Sequence, residues 1–465
     1  MKILILGAGR VGRSVAESLV GNDNEVTLVD ESAEQVESMQ ERFDLMGIVG
    51  NASSPSVLST AGAMDTDLLI AVTASDETNL VACTLASQLF NIPMRIARVR
   101  ESELRHYPRI LGEEGFKATS IIWPEQVIAS QLAKLIRFPA AQQILNFADG
   151  LLTLLTVKVT SDALLCGQTL ENAFLRFPNS KLRFITIHQR NRRLDCRPDT
   201  VLEAGDEVTV LADSTLAESI IEALHPFEKA QNIVLINGGE LSGLVTDELE
   251  PNRSKRRVKI FESKEQSAKE LSKHYGGSRV SVSRVRHDDS VALKQEGIDE
   301  ADVVVVLSNN DELNIMSALL AKRLGAKRSI IILEKSIYAD LLRNTDVDVT
   351  VSPTQASLGE ILRHIRYGDV VNAQELYHGK AEALEIIAHG TKKSSRVVGK
   401  TLGEIEFPRG VSVGAIVRGE GDAAMVMMAE PDMTVADDDH LILFVPNKKM
   451  IPRIEELFAV DVGFF

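Results

Sequence analysis

The chain has 465 residues, 44% of them hydrophobic and 25% charged, which predicts roughly three or four soluble domains. Its 66 acidic against 51 basic residues give a formal net charge of −15; this charge would repel a phosphate backbone, so nucleic acid is not an expected partner. The longest apolar runs, such as ADVVVVL at Ala301, fall far short of the roughly 20 residues that cross a bilayer, and we expect a cytosolic protein without a transmembrane segment of its own.

The first predicted strand runs directly into a glycine-rich turn. Residues 2–6 are almost continuously aliphatic, as in a parallel strand buried on both faces. A helical stretch follows the turn, and a second predicted strand, EVTLVDES, has Asp30 at its end, 18 residues after the last glycine of the turn. The turn itself reads Gly7-Ala8-Gly9-Arg10-Val11-Gly12.

This strand, turn and helix have the spacing of a dinucleotide-binding site. Gly7 permits the tight turn, Gly9 lets the backbone approach a pyrophosphate, and Gly12 lets helix and strand pack closely. The helix N-terminus offers unpaired amides to the phosphates. Asp30 can accept hydrogen bonds from two ribose hydroxyls and should repel a 2′-phosphate, which favours NAD over NADP and leaves ATP and ADP open.

Further predicted strands end in polar residues. In an open parallel sheet, ligands bind beyond the carboxyl ends of the strands. Four candidate contacts fall at such ends: Asn51, Thr73, Arg98 and Arg100. The two arginines are equally compatible with solvated strand ends.

An internal repeat sets the architecture. VTASDETNLVACTLASQL at Val72 matches LSNNDELNIMSALLAKRL at Leu307, and GQTLENAF at Gly167 matches GKTLGEIE at Gly399. The repeat predicts an α/β protein with two doubly wound Rossmann-like domains, each followed by a small α+β domain. The expected boundaries are 1–122, a joining helix at 123–146, 147–228, 229–352, a second joining helix at 353–371, and 372–465. Either joining helix could pack within its own half or exchange with a neighbouring subunit.

The second Rossmann unit departs from the nucleotide pattern. Its turn reads Asn237-Gly238-Gly239-Glu240-Leu241-Ser242, and only the middle glycine, Gly239, is kept. Glu240 would place a carboxylate near the phosphates, where the first copy has Arg10. Glu262 takes the position of Asp30. We therefore predict a nucleotide site that is weakened or lost.

The order of domains and the stretches GAGRVG, VTASDETN, IARVR, NIMSALLAKRLGAK, AHGTKKSSRVVGK and GAIVRG resemble the TrkA family over essentially the whole chain. That family comprises regulatory subunits of bacterial Trk potassium-uptake systems, built from RCK (KTN) and RCK-C domains. The resemblance implies binding of NAD(H) and of ATP or ADP. It also implies a ring, usually a homotetramer, on the cytosolic face of the inner membrane, where the ring controls a Trk-type potassium channel subunit.

Carried over by position, the resemblance places nucleotide contacts on residues 7–11, Asp30, Thr73 with Ala74, and Arg98, with Arg100 as a candidate for a terminal phosphate. Asn51 departs from the pattern, because many such domains have an aspartate there. The second turn departs too, since the family commonly has glycines at its outer positions.

Two other functions stay open at this stage. A nicotinamide oxidoreductase needs an acid or base beside the reacting carbon, but none of the five tyrosines has the Lys four residues on that short-chain dehydrogenases use. No catalytic residue is predicted. The three cysteines lack paired or ligand-like spacing, so neither a disulfide nor a metal site is expected. A regulator of another cation transporter or antiporter is the second alternative.

Overall fold

The computed structural model describes residues 1–460, apart from 21–23, 178–180, 190–191, 195, 251–254, 278, 343–344, 366–369, 377–380, 420 and 422–423. These residues form two compact units. One comprises residues 1–128 and 352–367, and the other comprises residues 129–351 and 368–465. No helix among the described residues has both the length and the apolar character needed to span a membrane.

The first domain is a six-stranded parallel sheet in the order β3-β2-β1-β4-β5-β6. The four residues of β4 are completely buried, which explains why the sequence there is continuously apolar. The strands are β1 (Lys2–Leu6), β2 (Glu25–Asp30), β3 (Met46–Val49), β4 (Leu68–Ala71), β5 (Met94–Arg98) and β6 (Ser120–Ile122). The helices are α1 (Arg10–Leu19), α2 (Ala33–Gln40), α3 (Pro55–Thr60), α4 (Asp76–Gln88) and α5 (Pro108–Leu111).

A joining helix and an antiparallel sheet follow. The sheet has the order β10-β9-β11-β8-β7. The elements are α6 (Pro124–Arg137), β7 (Ala141–Phe147), β8 (Leu152–Lys158), α7 (Leu170–Arg176), β9 (Leu182–Gln189), β10 (Arg192–Leu194), β11 (Glu207–Asp213) and α8 (Ala217–Leu224).

The third domain repeats the first, with a parallel sheet in the order β14-β13-β12-β15-β16-β17. Its strands are β12 (Asn232–Ile236), β13 (Arg257–Glu262), β14 (Val280–Arg284), β15 (Val303–Val306), β16 (Ser329–Ile332) and β17 (Val349–Val351). Its helices are α9 (Glu240–Leu249), α10 (Glu265–His274), α11 (Ser290–Gln295), α12 (Asp311–Leu324) and α13 (Ser336–Leu342).

The last part of the chain repeats the joining helix and the antiparallel sheet, here in the order β18-β19-β22-β20-β21. Its elements are α14 (Pro353–Ile365), β18 (Val370–Leu376), β19 (Ala381–Ala388), β20 (Ser412–Arg418), β21 (Met425–Met428), β22 (Asp439–Val445) and α15 (Ile451–Phe458). Short 3₁₀ segments lie at Ala63–Asp65, Ser102–His106, Ala148–Gly150, Ser214–Leu216, Ile298–Glu300 and Lys448–Met450. Tandem parallel and antiparallel sheets confirm the predicted fold class.

The two antiparallel sheets pack on each other within the second unit. Their shared apolar core takes residues from both, including Leu154 and Leu211 of the first sheet and Ile442 and Phe444 of the other. Close packing explains a glycine inside β20, because a Cβ on Gly414 would lie 2.6 Å from the Leu211 Cδ2 atom. The helices of each domain cover the opposite face of its sheet.

The joining helices pack against the Rossmann-like domain of the other half of the same chain. In the first unit, Leu358, Ile361 and Leu362 of α14 belong to the core that contains Val11 and Val15 of α1. α14 thus covers α1 of the opposite half of its own chain.

In the second unit, the C-terminal end of α6 is bonded to the third domain. Buried Arg328 donates hydrogen bonds to the carbonyl oxygens of Leu135 (3.4 Å), Phe138 (3.3 Å) and Ala141 (2.6 Å). The Arg137 guanidinium donates to the Glu248 carbonyl of α9. Arg328 therefore joins the residue before β16 to the end of α6 and to the start of β7.

Both joining helices are shorter than the sequence predicted. The segment expected to be helical to residue 146 is helical only to Arg137, and Ala141–Phe147 forms edge strand β7. Likewise α14 ends at Ile365, and Val370–Leu376 forms edge strand β18. β7 pairs with β8 across a turn that contains Asp149 and Gly150, with Gly150 at φ +91°. An Asp-Gly pair is a hairpin signal, and the prediction of one long joining helix did not take it into account.

Candidate functional site

The first glycine turn has the backbone that the sequence predicted. Gly7 has φ +107°, which glycine adopts without strain, and its N–H donates to the Val29 carbonyl oxygen at 2.8 Å. A Cβ on Gly12 would lie 1.9 Å from the Gly7 carbonyl oxygen. Helix α1 can therefore approach the end of β1 only with glycine at position 12.

Gly9 has a different role, because its surroundings are open. No heavy atom lies within 4 Å of the position that a Cβ would take on Gly9. Gly9 is the N-cap of α1 and provides no side-chain hydrogen bond, and the first turn of α1 contains no acidic residue. The first amides of the helix have no intrahelical acceptor, so the turn presents backbone donors and a partial positive charge to open space. The next two residues are exposed Arg10 and buried Val11.

Asp30, at the end of β2, is fixed against the same turn. Its Oδ2 atom accepts a hydrogen bond from the Ala8 N–H at 2.6 Å, and its Oδ1 atom accepts one from the Ser32 N–H at 2.9 Å. A carboxylate oxygen has more than one acceptor site, so both oxygens can still accept from ribose hydroxyls. The hydrogen bonds place the carboxylate at the glycine turn, as the sequence predicted.

Asn51 follows β3, which pairs with β2 at the outer edge of the sheet. Its Nδ2 atom donates to Glu31 Oε1 at 2.8 Å, and its Oδ1 atom accepts from both the Ser53 N–H and the Ser53 hydroxyl. Asn51 is thus on the Asp30 side of the site but is engaged in its own loop. Its predicted contact with adenosine stays a prediction.

On the other side of β1, the ends of β4 and β5 bring three predicted residues together. Arg98 is 8% exposed, and its Nη2 atom donates to the Thr73 carbonyl oxygen at 2.7 Å. Ala74, next to Thr73, is exposed, as is Arg100. Asp30 and Arg98 therefore lie on opposite sides of the glycine turn, because β2 and β4 flank β1 in the sheet.

Two residues at the start of α4 hold these strand ends, and neither was predicted to do so; from the sequence, Asp76 was expected to be no more than a helix cap. Asn79 is fully buried and hydrogen-bonds to Thr73 and Arg98, whereas Asp76 accepts hydrogen bonds from the backbone N–H groups of Arg100 and Glu101. The signal was present in the repeat, where DETN at residues 76–79 matches DELN at 311–314.

The second turn also forms, but with a different shape. Asn237 has φ +55° and Gly239 has φ +53°, and a Cβ on Gly238 would lie 2.4 Å from Ser242 Oγ and 2.7 Å from Leu307 Cδ1. In the first turn, the equivalent Ala8 carries its Cβ without difficulty. Ser242, at the position of Gly12, thus takes space beside the second turn.

The second turn has two acidic residues, and the one at the helix N-terminus opposes an anion. Glu262 is 3% exposed and accepts a hydrogen bond from the Gly239 N–H at 2.8 Å. Burial raises the pKa of Glu262, although the backbone hydrogen bonds act in the opposite direction. Glu240 is exposed at the first position of α9, where the first copy has Arg10. A carboxylate there offsets the partial positive charge of the helix N-terminus.

The strand ends of the third domain lack the basic residues as well. Asn314 donates to the Ile332 carbonyl oxygen as Asn79 donates to that of Arg98. Asp311 accepts from the Glu334 N–H as Asp76 accepts from that of Arg100. The positions of the two arginines are therefore occupied by Ile332 and Glu334, and the third domain has no counterpart of either guanidinium at these positions.

Comparisons with known proteins agree with this architecture. The TrkA-N domain family matches residues 3–123 and 233–353, and the TrkA-C domain family matches residues 154–225 and 391–459. The chain is 39% identical to the Trk system potassium uptake protein TrkA of Vibrio alginolyticus over the full length of both chains. It is 39% identical to the protein of that name from Halomonas elongata, again over the full length of both.

A solved structure of the GsuK channel bound to NAD matches 98% of this chain and 79% of its own, with a TM-score of 0.60 and 18% identity. At that identity the likeness shows the shared fold. The tandem domains and the full-length similarity together show that the chain belongs to the TrkA family of Trk-system potassium uptake proteins.

Proposed function

We propose that the chain is a nucleotide-sensing regulatory subunit that controls potassium uptake through a Trk-type membrane subunit. One observation supports the proposal: the first glycine turn combines open space beside Gly9, the N-terminus of α1 and the fixed carboxylate of Asp30, in a chain that resembles Trk-system potassium uptake proteins from end to end. Regulation requires only that the nucleotide bind two conformations of the protein with different affinities.

The proposed ligand is NAD(H), with ATP or ADP at the same site. The phosphates lie over Gly9 and the amides at the start of α1, and Asp30 accepts hydrogen bonds from the ribose hydroxyls on the β2 side. The rest of the ligand extends toward Thr73, Ala74 and Arg98 on the β4 side. The NAD-bound GsuK channel, which shares the fold, supports this choice of ligand.

Only the first Rossmann-like domain is proposed to bind nucleotide. In the third domain, the carboxylate of Glu240 is at the helix N-terminus and Ile332 replaces Arg98. These changes remove favourable interactions with phosphates and add a repulsive one. The expected stoichiometry is one nucleotide for each chain, which titration calorimetry measures directly.

The chain is proposed to act in a homotetrameric ring on the cytosolic face of the inner membrane. The Trk-system relatives support a membrane subunit as the partner. A difference in affinity of the size typical of allosteric coupling, about 1–3 kcal/mol, changes the balance of two ring conformations roughly 5- to 150-fold. Four sites acting on one ring make the response steeper than a single site would.

Potassium flux through a reconstituted Trk-type membrane subunit tests the proposal. Flux is measured with and without this protein, across a panel of NAD, NADH, ADP and ATP. We expect at least one nucleotide to change the flux, and only when the protein is present. The Asp30→Ala variant should bind the membrane subunit but lose the response to nucleotide. A flux that no nucleotide alters would refute the proposal, and capture of an antiporter instead of a Trk subunit from membranes would favour the other transporter class.

A further inference from the structure

The amide of Asn79 joins two adjacent strand ends of the proposed nucleotide site. Its Oδ1 atom accepts hydrogen bonds from the Thr73 N–H at 2.9 Å and from the Thr73 hydroxyl at 2.7 Å. Its Nδ2 atom donates to the Arg98 carbonyl oxygen at 2.9 Å and makes a longer contact of 3.4 Å with the Thr73 carbonyl oxygen. Because backbone N–H groups can only donate, these partners fix which end of the amide is oxygen.

Asn79 lies in α4, but its side chain hydrogen-bonds to Thr73 and Arg98, which lie outside the helix. It is fully buried in α4, and both its donor and its acceptor atoms are used. One turn earlier, Asp76 accepts from the N–H groups of Arg100 and Glu101 at 2.7 and 2.8 Å. The first turn of α4 thus ties the loop after β4 to the end of β5 through the side chains of Asp76 and Asn79. We refer to these two side chains as the clamp.

This clamp matters because it sets where two proposed ligand contacts lie. Arg98 Nη2 donates to the same Thr73 carbonyl group that Asn79 contacts. If the two strand ends moved apart, the guanidinium would lose its acceptor and the Thr73–Ala74 backbone would shift. Both lie on the β4 side of the turn, whereas Asp30 lies on the β2 side. With adenosine at Asp30 and the first phosphate at Gly9, as proposed above, a ligand that ends at its first phosphate would not extend to the β4 side.

We propose that Asn79 is a positioning residue that sets the affinity for the part of a nucleotide beyond its first phosphate. It does so by holding Thr73 and Arg98 at a fixed separation. This inference rests on the proposed nucleotide site and adds a residue that does not itself contact the ligand. It separates the site into a β2 side, which recognises adenosine through Asp30, and a β4 side, whose geometry depends on Asn79.

The chain contains a matched control for this role. Asn314 accepts hydrogen bonds from the N–H and hydroxyl of Ser308 and donates to the carbonyl oxygens of Ser308 and Ile332. It is also fully buried. The same substitution at Asn314 therefore breaks the same kind of hydrogen bonds in a domain that lacks Arg98. A loss of stability should be common to both variants, whereas a loss of nucleotide affinity should follow only from the change at Asn79.

The test is titration calorimetry of AMP, ADP and NADH with the full chain and with Asn79→Asp and Asn314→Asp. The aspartate keeps an oxygen that can accept from Thr73. Its second oxygen replaces the amide nitrogen, so the hydrogen bonds to the carbonyl oxygens of Arg98 and Thr73 are lost and two oxygens face them instead. We expect Asn79→Asp to lower the affinity for ADP and NADH about tenfold or more, which corresponds to the loss of one or two net hydrogen bonds. The affinity for AMP should change by less than about threefold. Asn314→Asp should leave all three affinities unchanged.

Other outcomes decide against the inference. Asn79 does not position the β4 side if Asn79→Asp binds NADH with the affinity of the unchanged protein. The same conclusion follows if the substitution lowers the affinity for AMP as much as the affinity for NADH. If the unchanged protein binds none of the three ligands, the proposed function fails instead, and that result is distinct. Asn79→Ser, matched by Asn314→Ser, serves if the aspartate variants do not fold, because a small hydroxyl leaves room for water.

A measurement on the unchanged protein does not depend on any variant. The Thr73 N–H donates to Asn79, and the Arg100 N–H donates to Asp76. In a hydrogen-exchange experiment, NADH should slow the exchange of these two amides more than AMP does. The corresponding Ser308 and Glu334 amides should not respond. Equal protection by AMP and NADH at Thr73 and Arg100 would overturn the inference.

Discussion

Gly9→Ala and Gly12→Ala add the same methyl group to one turn and should have opposite consequences. At Gly12 the new Cβ would lie 1.9 Å from the Gly7 carbonyl oxygen, whereas an ordinary carbon–oxygen contact is about 3.3 Å. Helix α1 would have to move by about 1.4 Å relative to the end of β1. Overpacking of this kind costs about 1–3 kcal/mol, so Gly12→Ala should lower the free energy of unfolding of the first unit by about that amount.

Gly9→Ala should leave the fold intact and remove nucleotide binding. Gly9 has φ −65°, which alanine adopts readily, and no atom lies within 4 Å of its future Cβ. The free energy of unfolding should change by less than about 0.5 kcal/mol. The methyl group would occupy the space through which phosphates reach the amides of α1, so NADH affinity should fall.

Urea unfolding and NADH calorimetry separate the two variants. Trp123 is the single tryptophan, and it packs against the core of the first sheet, so its fluorescence reports unfolding of that unit. The expected pattern is lost stability for Gly12→Ala and lost affinity at full stability for Gly9→Ala. If Gly12→Ala were as stable as the unchanged protein, or if Gly9→Ala bound NADH normally, the roles assigned to these glycines would be wrong.

Three further predictions concern single side chains. Asp30→Ala removes the proposed acceptor for both ribose hydroxyls. The affinity for AMP and NADH should fall about 10- to 100-fold, because hydrogen bonds to a charged group are lost. Unchanged affinity in calorimetry would contradict the ribose assignment. Arg328→Met removes the buried donors to the carbonyl groups of Leu135, Phe138 and Ala141 and should lower the free energy of unfolding of the second unit by about 1–3 kcal/mol. An unaltered midpoint of urea unfolding would contradict the role of the guanidinium. Burial raises the pKa of Glu262 above the usual value of 4.5, so ionisation of this carboxyl group opposes folding. Relative to Glu262→Gln, the protein should be most stable below pH 4.5 and should lose stability as the pH rises through the raised pKa. Urea unfolding at pH 4 and pH 7 measures the stability of both proteins, and a gain in stability of the unchanged protein relative to Glu262→Gln at pH 7 would contradict the sign.

Sequence patterns predicted the parts of the site that depend on local backbone. Glycine at positions 7 and 12 is required by a positive φ and by a close approach between α1 and β1, and both requirements act over a few residues. The position of Asp30 follows from the length of one helix and one strand. These features are therefore visible in the spacing of residue types alone.

Contacts between segments far apart in the chain were not predictable in the same way. Asn79 bonds to the carbonyl group of Arg98, 19 residues away. The repeat of DETN as DELN marks this asparagine in both halves, but it does not show which strand end the side chain reaches. The packing of α14 on α1 joins residues more than 300 positions apart. Both joining helices are amphipathic, but amphipathicity indicates only that one face is buried and not which surface covers it.

The packing of α14 on α1 gives the nucleotide site a physical connection to the end of the chain. The amides proposed to bind phosphate belong to the first turn of α1, and Val15 on that helix is fully buried in a core that includes Ile361 of α14. Protein interiors are close-packed, so a shift of α1 cannot be absorbed by empty space and must displace its neighbours. After α14 the chain continues to β18 of the last antiparallel sheet. In the third domain, α9 begins with Glu240, and the proposed function assigns no phosphate to it. The corresponding contact of α9, the Arg137 hydrogen bond to the Glu248 carbonyl, should then not respond to nucleotide. If only the first turn binds nucleotide, one chain combines a half that responds and a half that does not.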